Sequence, residues 1–295
     1  MSNHTVVLEI TLVGFPGLPD AFHSSVSTMM FFTYMISLTA NGAVVGLVIF
    51  SERLHQPMYL IIANLAASGL LFDTVTLPKI ITRYWFGAST IPLSMCLFQI
   101  FLVHYLGSVD SFLLLLMAVD RYVAICHPLR YTSVITNKVV TISCGFCWII
   151  LASSMNVVNT VLASQISLCG TSKVDSLFCG YTAYAALACT DITSSRKWVF
   201  VNSMVVLFLP LGLILVSYIR IIAVISTTRS ESLQRAFYTC VTHLLVISLY
   251  YSPRLFVYIV SEFSCGVSDG KLNMRRPDSP PYQFLDMGPF DLLTT

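Results

Sequence analysis

The sequence predicts an all-α membrane protein, and three observations carry that reading. Of 295 residues, 56% are hydrophobic and only 10% are charged, whereas soluble domains carry about 25% charged residues. Mean hydropathy is +0.80, and apolar runs of about 20 residues recur between polar breaks, as in a chain that crosses a bilayer several times. Within those runs the apolar residues go all round instead of alternating. That pattern excludes an outer-membrane barrel and leaves helices, whose backbone satisfies its own hydrogen bonds in lipid.

Six spans follow in order, at roughly 26–50, 57–82, 92–120, 139–163, 197–225 and 236–260. Each can cross a hydrocarbon core of about 30 Å, with its outer faces against membrane lipid. Basic residues set the orientation. Arg53 follows the first span, Arg121, Arg130 and Lys138 cluster after the third, and Arg220, Arg229 and Arg235 flank the loop after the fifth. Residues 1–25 contain no Lys or Arg. The positive-inside rule therefore places the N-terminus outside. Lys173, Arg196 and Lys197 fall in a long outer loop, where the bias is weak. The N-terminal stretch has no short apolar core with a small-residue cleavage site, so the first span is expected to act as its own insertion signal. Asn3 opens an Asn-His-Thr acceptor for N-glycosylation on the outer side.

Composition also bounds the function. A net charge of +2 gives no argument for a nucleic-acid partner. No nucleophile–base pair or phosphate-cradling glycine loop suggests an enzyme. A six-span channel or transporter would want an internal repeat or broken helices at the midplane, and no internal repeat is found.

Five motifs stand in order on the spans. They are Asn41-Gly42 on the first, LHQPMYLIIANLA (54–66) opening the second, MAVDRYVAICHPLRY (117–131) closing the third, Ser217-Tyr218 on the fifth and RAFYTCVTHL (235–244) opening the sixth. Together they resemble the odorant receptor branch of the rhodopsin-like G protein-coupled receptors over roughly residues 20–260, with Gln56 in the style of fish members.

The resemblance implies a rhodopsin-like bundle that binds a small organic odorant and activates a stimulatory heterotrimeric G protein. It implies a plasma-membrane location, in a sensory cilium. Asp120, Arg121 and Tyr122 would form the coupling switch: Arg121 pairs with Asp120 at rest and is released when the sixth helix swings out, and Tyr218 then swings in. A snorkelling arginine is the bland alternative. The implied disulfides are Cys96–Cys179 and Cys169–Cys189, which suit a loop in an oxidising compartment. Cys126, Cys144, Cys147 and Cys240 read as buried small residues.

The ligand site is expected between the outer halves of spans three, five and six. Val103, His104, Gly107, Ser108 and Ser111 share a face of span three, and Asn202 and Ser203 lie at matching depth on span five. Tyr251, Arg254, Leu255 and Tyr258 follow helical spacing on span six. Arg254 facing the pocket would favour an anionic odorant; facing the headgroups it would only snorkel. His104 has no second His or Cys beside it to share a metal. An amine receptor would want an acid where Val103 and His104 stand. Asp110 belongs to an intramembrane polar network with Asn41, and the resemblance implies a sodium or network role for it. The family's acid on the second span is replaced by Gly69, with Asp73 one turn further.

The tail departs from the family. Residues 261–295 hold no apolar run near span length, carry Pro277, Pro280, Pro281 and Pro289, and lack the PxxNPxIY pattern of a seventh helix. A polar, irregular segment is expected there. Impaired folding, retention in the endoplasmic reticulum and a non-signalling product then follow as expectations.

Overall fold

The computed structural model describes residues 8–15, 17–168, 172–227 and 239–256. Among them the chain is mostly helical. The long apolar helices are α1 (His23–Phe50), α2 (Pro57–Phe86), α3 (Leu93–Cys126), α5 (Asn137–Phe146) continued through a π-helical turn at Cys147–Leu151 into α6 (Ala152–Ser164), and α8 (Thr193–Thr227). Short helices α4 (Pro128–Val134) and α7 (Tyr181–Ala185) lie between them. Residues 239–256 form the described part of α9. Among the described residues, five helical stretches are long and apolar enough to cross a membrane.

Local chemistry explains the ends. Pro57 opens α2 behind the extended Gln56, where a fixed φ and a missing N–H cost nothing. Gly87 closes α2 in the left-handed region, and its N–H reaches the Arg83 carbonyl. Thr136 caps α5 by accepting the Val139 N–H at 3.3 Å.

Span three is the hub: α3 packs against α2, α6 and α8, and α1 packs against α2. The main core joins Val109, Leu113, Met117, Leu207, Ile214, Tyr218, Ile221, Ile247 and Tyr251 from spans three, five and six. Large apolar side chains such as Ile36, Ile149 and Ile219 point outward. That is the pattern of a bundle whose solvent is lipid.

One feature lies outside the all-α expectation. Strands β1 (Glu9–Leu12), β2 (Thr90–Pro92) and β3 (Lys173–Val174) form a sheet in the order β2-β1-β3. β1 runs antiparallel to β2, with Thr11 opposite Thr90, and parallel to β3, with Thr11 opposite Lys173. The N-terminal stretch, the loop after span two and the loop before span five therefore meet at one end, the outer end by the charge rule. Side chains strap the sheet down. Arg83 donates to the Val13 carbonyl at 2.6 Å, Tyr84 Oη accepts the Phe15 N–H at 2.6 Å, and Lys79 Nζ donates to the Thr90 carbonyl at 2.5 Å.

Candidate functional site

Three polar constellations lie along α3: an inner one near its end, a middle one on the face toward spans one, two and six, and an outer one that starts at Ser111 and runs outward on the face toward spans four and five. The innermost holds the acid–arginine pair. Arg121 Nε lies 3.5 Å from Asp120 Oδ2, with Asp120 buried. Tyr131, on α4, donates to the other carboxylate oxygen, Oδ1, at 2.9 Å. Burial and the neighbouring carboxylate push the Tyr131 phenol up to about 12, so it stays protonated and able to donate. Tyr131 closes the 117–131 motif, yet its partnership is visible only once α4 folds back on span three. Tyr122 Oη stands 3.4 Å from His127 Nε2. Tyr218 is buried on span five, and its hydroxyl makes no hydrogen bond among the described residues. Tyr218, Cys240 and His243 all lie within electrostatic range of the Arg121 guanidinium.

The middle constellation lines a small cavity, open at its mouth, between spans one, two, three and six. Asn41, Gly69, Asp73, Asp110, Tyr250 and Arg254 help to line it. Ser37 donates to Asp73, and Asn41 donates to Ser37 at 3.3 Å. Asp73 thus joins the network from one turn beyond Gly69, and Ser37, an ordinary serine in the sequence, is its link to span one. Arg254 helps to line this cavity. Its guanidinium sits 3.9 Å over the Tyr250 ring, and Nη1 donates to the Tyr250 carbonyl at 3.2 Å. The lining brings together two carboxylates, Asp73 and Asp110, and the Asn41 amide, oxygen donors of the kind a hard cation takes, with the Arg254 guanidinium beside them.

The outer constellation contains the expected pocket residues. Ser111 Oγ donates to the Val206 carbonyl at 3.0 Å and lies 2.7 Å from Tyr251 Oη, joining spans three, five and six in one buried contact. Tyr250 Oη donates to the Gly107 carbonyl at 2.5 Å. Ser108 donates to the His104 carbonyl at 2.9 Å and accepts from Asn156 at 2.8 Å. Ser203 is buried, and Leu255 packs on the main core. Asn202 turns to span four, donating to the Met155 carbonyl at 2.8 Å. Val103 packs against a separate cluster that includes Met30, Leu77 and Phe178. Tyr258 and Asn3 lie outside the described residues.

Sequence reasoning missed span four here. Asn156 and Asn159 are both buried, and two asparagines within an apolar run are the signal that could have found them. The π-helical turn before them inserts an extra residue. Ile149 and Ile150 stay outward, while the Asn156 amide reaches Ser108 on span three and Asn159 is buried.

The outer loop is tied to this level. Cys96 and Cys179 form a disulfide, and Gln99 accepts the Cys179 N–H while donating to the Val75 carbonyl, both at 2.8 Å. Cys189 is disulfide-bonded too. Cys169 lies outside the described residues.

Comparison with known proteins agrees with this architecture. The olfactory receptor family model (7tm_4) matches residues 30–272, beyond the 260 at which the motif resemblance ends. The chain is 36% identical to olfactory receptor 2M3 of Homo sapiens over 242 residues, covering 80% of this chain and 77% of that one. It is 33% identical to olfactory receptor 1E16 of Mus musculus over 259 residues, covering 87% and 82%. With olfactory receptor 1496 of Rattus norvegicus the identity is 34% over 260 residues, covering 88% and 83%.

Proposed function

The chain belongs to the olfactory receptor family, a family of multi-pass, non-enzymatic G protein-coupled receptors, and on that premise we propose that it detects a small organic odorant and activates a stimulatory heterotrimeric G protein at the plasma membrane. The observation that supports this best is the inner constellation. Arg121 is held at 3.5 Å by a buried carboxylate whose other oxygen is occupied by Tyr131. Such an arrangement stores a cation at the inner end of span three until a rearrangement of span six releases it. The contact of Ser111 with Tyr251 and Val206 supplies the link from the ligand side, because a molecule entering there must disturb spans three, five and six together. Gln56 in the LHQPMY run supports an affinity with fish-type members.

The sequence of residues 261–295 favours a second reading for the same family member. It has no run long enough to span, four prolines and no PxxNPxIY pattern. In that reading residues 261–295 do not supply the seventh helix, and the chain as given signals weakly or not at all. An N-terminally tagged chain, assayed for surface delivery and ligand-driven cyclic AMP, decides between the two. Full delivery and signalling overturn the second reading. If both are poor, a chimera carrying a relative's sequence from residue 257 onward should restore them. In whichever chain signals, Arg121→Ala should abolish the cyclic AMP response while leaving surface delivery intact. A normal response from that variant would overturn the coupling role.

A further inference from the structure

We propose that Arg254 is the resident cation of the middle cavity. Its guanidinium holds the place beside Asp73 and Asp110 that a small hard cation would otherwise take, so sodium neither binds there nor stabilises the bundle.

The donor set comes first. Asp73 on span two and Asp110 on span three are both buried, and they line one cavity with Asn41 of span one. Carboxylate and amide oxygens are what hard cations take. Carboxylates that share a low-dielectric site stay ionised only with a counter-charge. Ser37 and Asn41 bring hydrogen bonds to the Asp73 side, but no charge. Among the described residues that line the cavity, Arg254 is the one base.

The reach of that base follows from helix geometry. Span six runs from the inner side outward, so its N-terminal end is the inner one. A helical side chain leans toward the N-terminus of its own helix and lies over the preceding turn. Arg254 starts one turn outward of Tyr250, and its side chain returns to the level of Tyr250. The guanidinium sits 3.9 Å over that ring, and Nη1 donates to that carbonyl at 3.2 Å. The Tyr250 hydroxyl in turn donates to the carbonyl of Gly107 at 2.5 Å, three residues from Asp110. These contacts hold the guanidinium on the same cavity as the acid of span three.

Charge then decides the occupant. A guanidinium keeps its proton at any physiological pH and presents five N–H donors in a fork that matches a carboxylate. A sodium ion entering the cavity would meet a like charge at close quarters, where little water screens it. The tethered cation needs no capture from solution, so it wins the site.

The test uses the full chain in lipid nanodiscs and reads the melting temperature at fixed ionic strength, with sodium chloride exchanged for N-methylglucamine chloride. The unaltered chain should melt at the same temperature in both salts. Arg254→Gln should gain a rise of about 2–4 °C in sodium, as expected for an ion present at about ten times its Kd. Arg254→Ala carries the same expectation should the glutamine variant not fold. Arg254→Lys keeps the charge and should stay indifferent to sodium. Asp110→Asn, added to whichever variant gains the rise, should remove it. Sodium stabilising the unaltered chain, no gain in either neutral variant, or a gain that survives Asp110→Asn would each overturn the proposal. Melting requires neither odorant nor G protein, so a chain that fails to signal leaves this result untouched.

Discussion

Tyr131 donates its phenolic proton to Asp120 across 2.9 Å, on the opposite oxygen from the one that faces Arg121. The short helix after span three thereby braces the carboxylate that restrains the coupling arginine. A hydrogen bond to a charged acceptor is worth about 1.5–3 kcal/mol.

Tyr131→Phe should therefore loosen the resting state with little loss of fold. If only the resting state makes this bond, the active fraction rises about tenfold or more. Ligand-free cyclic AMP per surface receptor measures it, and an unchanged basal level would remove Tyr131 from the switch.

Ser111 and Tyr251 should be coupled. Ser111→Ala and Tyr251→Phe each delete one side of the 2.7 Å contact. A double-mutant cycle on thermal unfolding should show an interaction of about 0.5–1.5 kcal/mol. Strict additivity would mean that the contact contributes nothing.

The second outer-loop bridge can be tested by its arithmetic. Cys189→Ser should cost about 2–4 kcal/mol. If Cys169 is the partner, Cys169→Ser should cost the same, and the double variant no more than either alone. Non-reducing digestion of the native chain should release both cysteines in one linked product.

Two glycines near the N-terminal strand should differ. Gly14 and Gly17 both hold positive φ, at 81° and 76°. A methyl group added at Gly14 would meet the Tyr84 hydroxyl, while at Gly17 it would meet nothing within 4 Å. Gly17→Ala should cost about 1 kcal/mol from backbone strain alone, and Gly14→Ala more. Amide exchange at Ile10 and Leu12 reads the difference, with faster exchange expected in the Gly14 variant.

The helices were legible in the sequence because lipid demands long apolar runs, and the acid–arginine pair was legible because it closes one. Tyr131 was not, since its role depends on α4 turning back on span three. The sheet was equally hidden: strands of four, three and two residues carry no readable period, and their partners lie about 80 and 160 residues away in the chain. Arg254 shows the limit of face counting. Spacing put it beside Tyr251, but its own ring partner, Tyr250, draws it toward the acids of spans two and three. The π-helical turn has no compositional mark, so the inward aim of Asn156 and Asn159 could not be counted from the start of the span.

The order of the strands sets a timetable for biogenesis. β1 leaves the ribosome first and finds its antiparallel neighbour after two helices have been threaded into the bilayer, but its parallel neighbour is not translated until four have been. The leading strand therefore cannot complete its pairing until the loop before the fifth helix has been made.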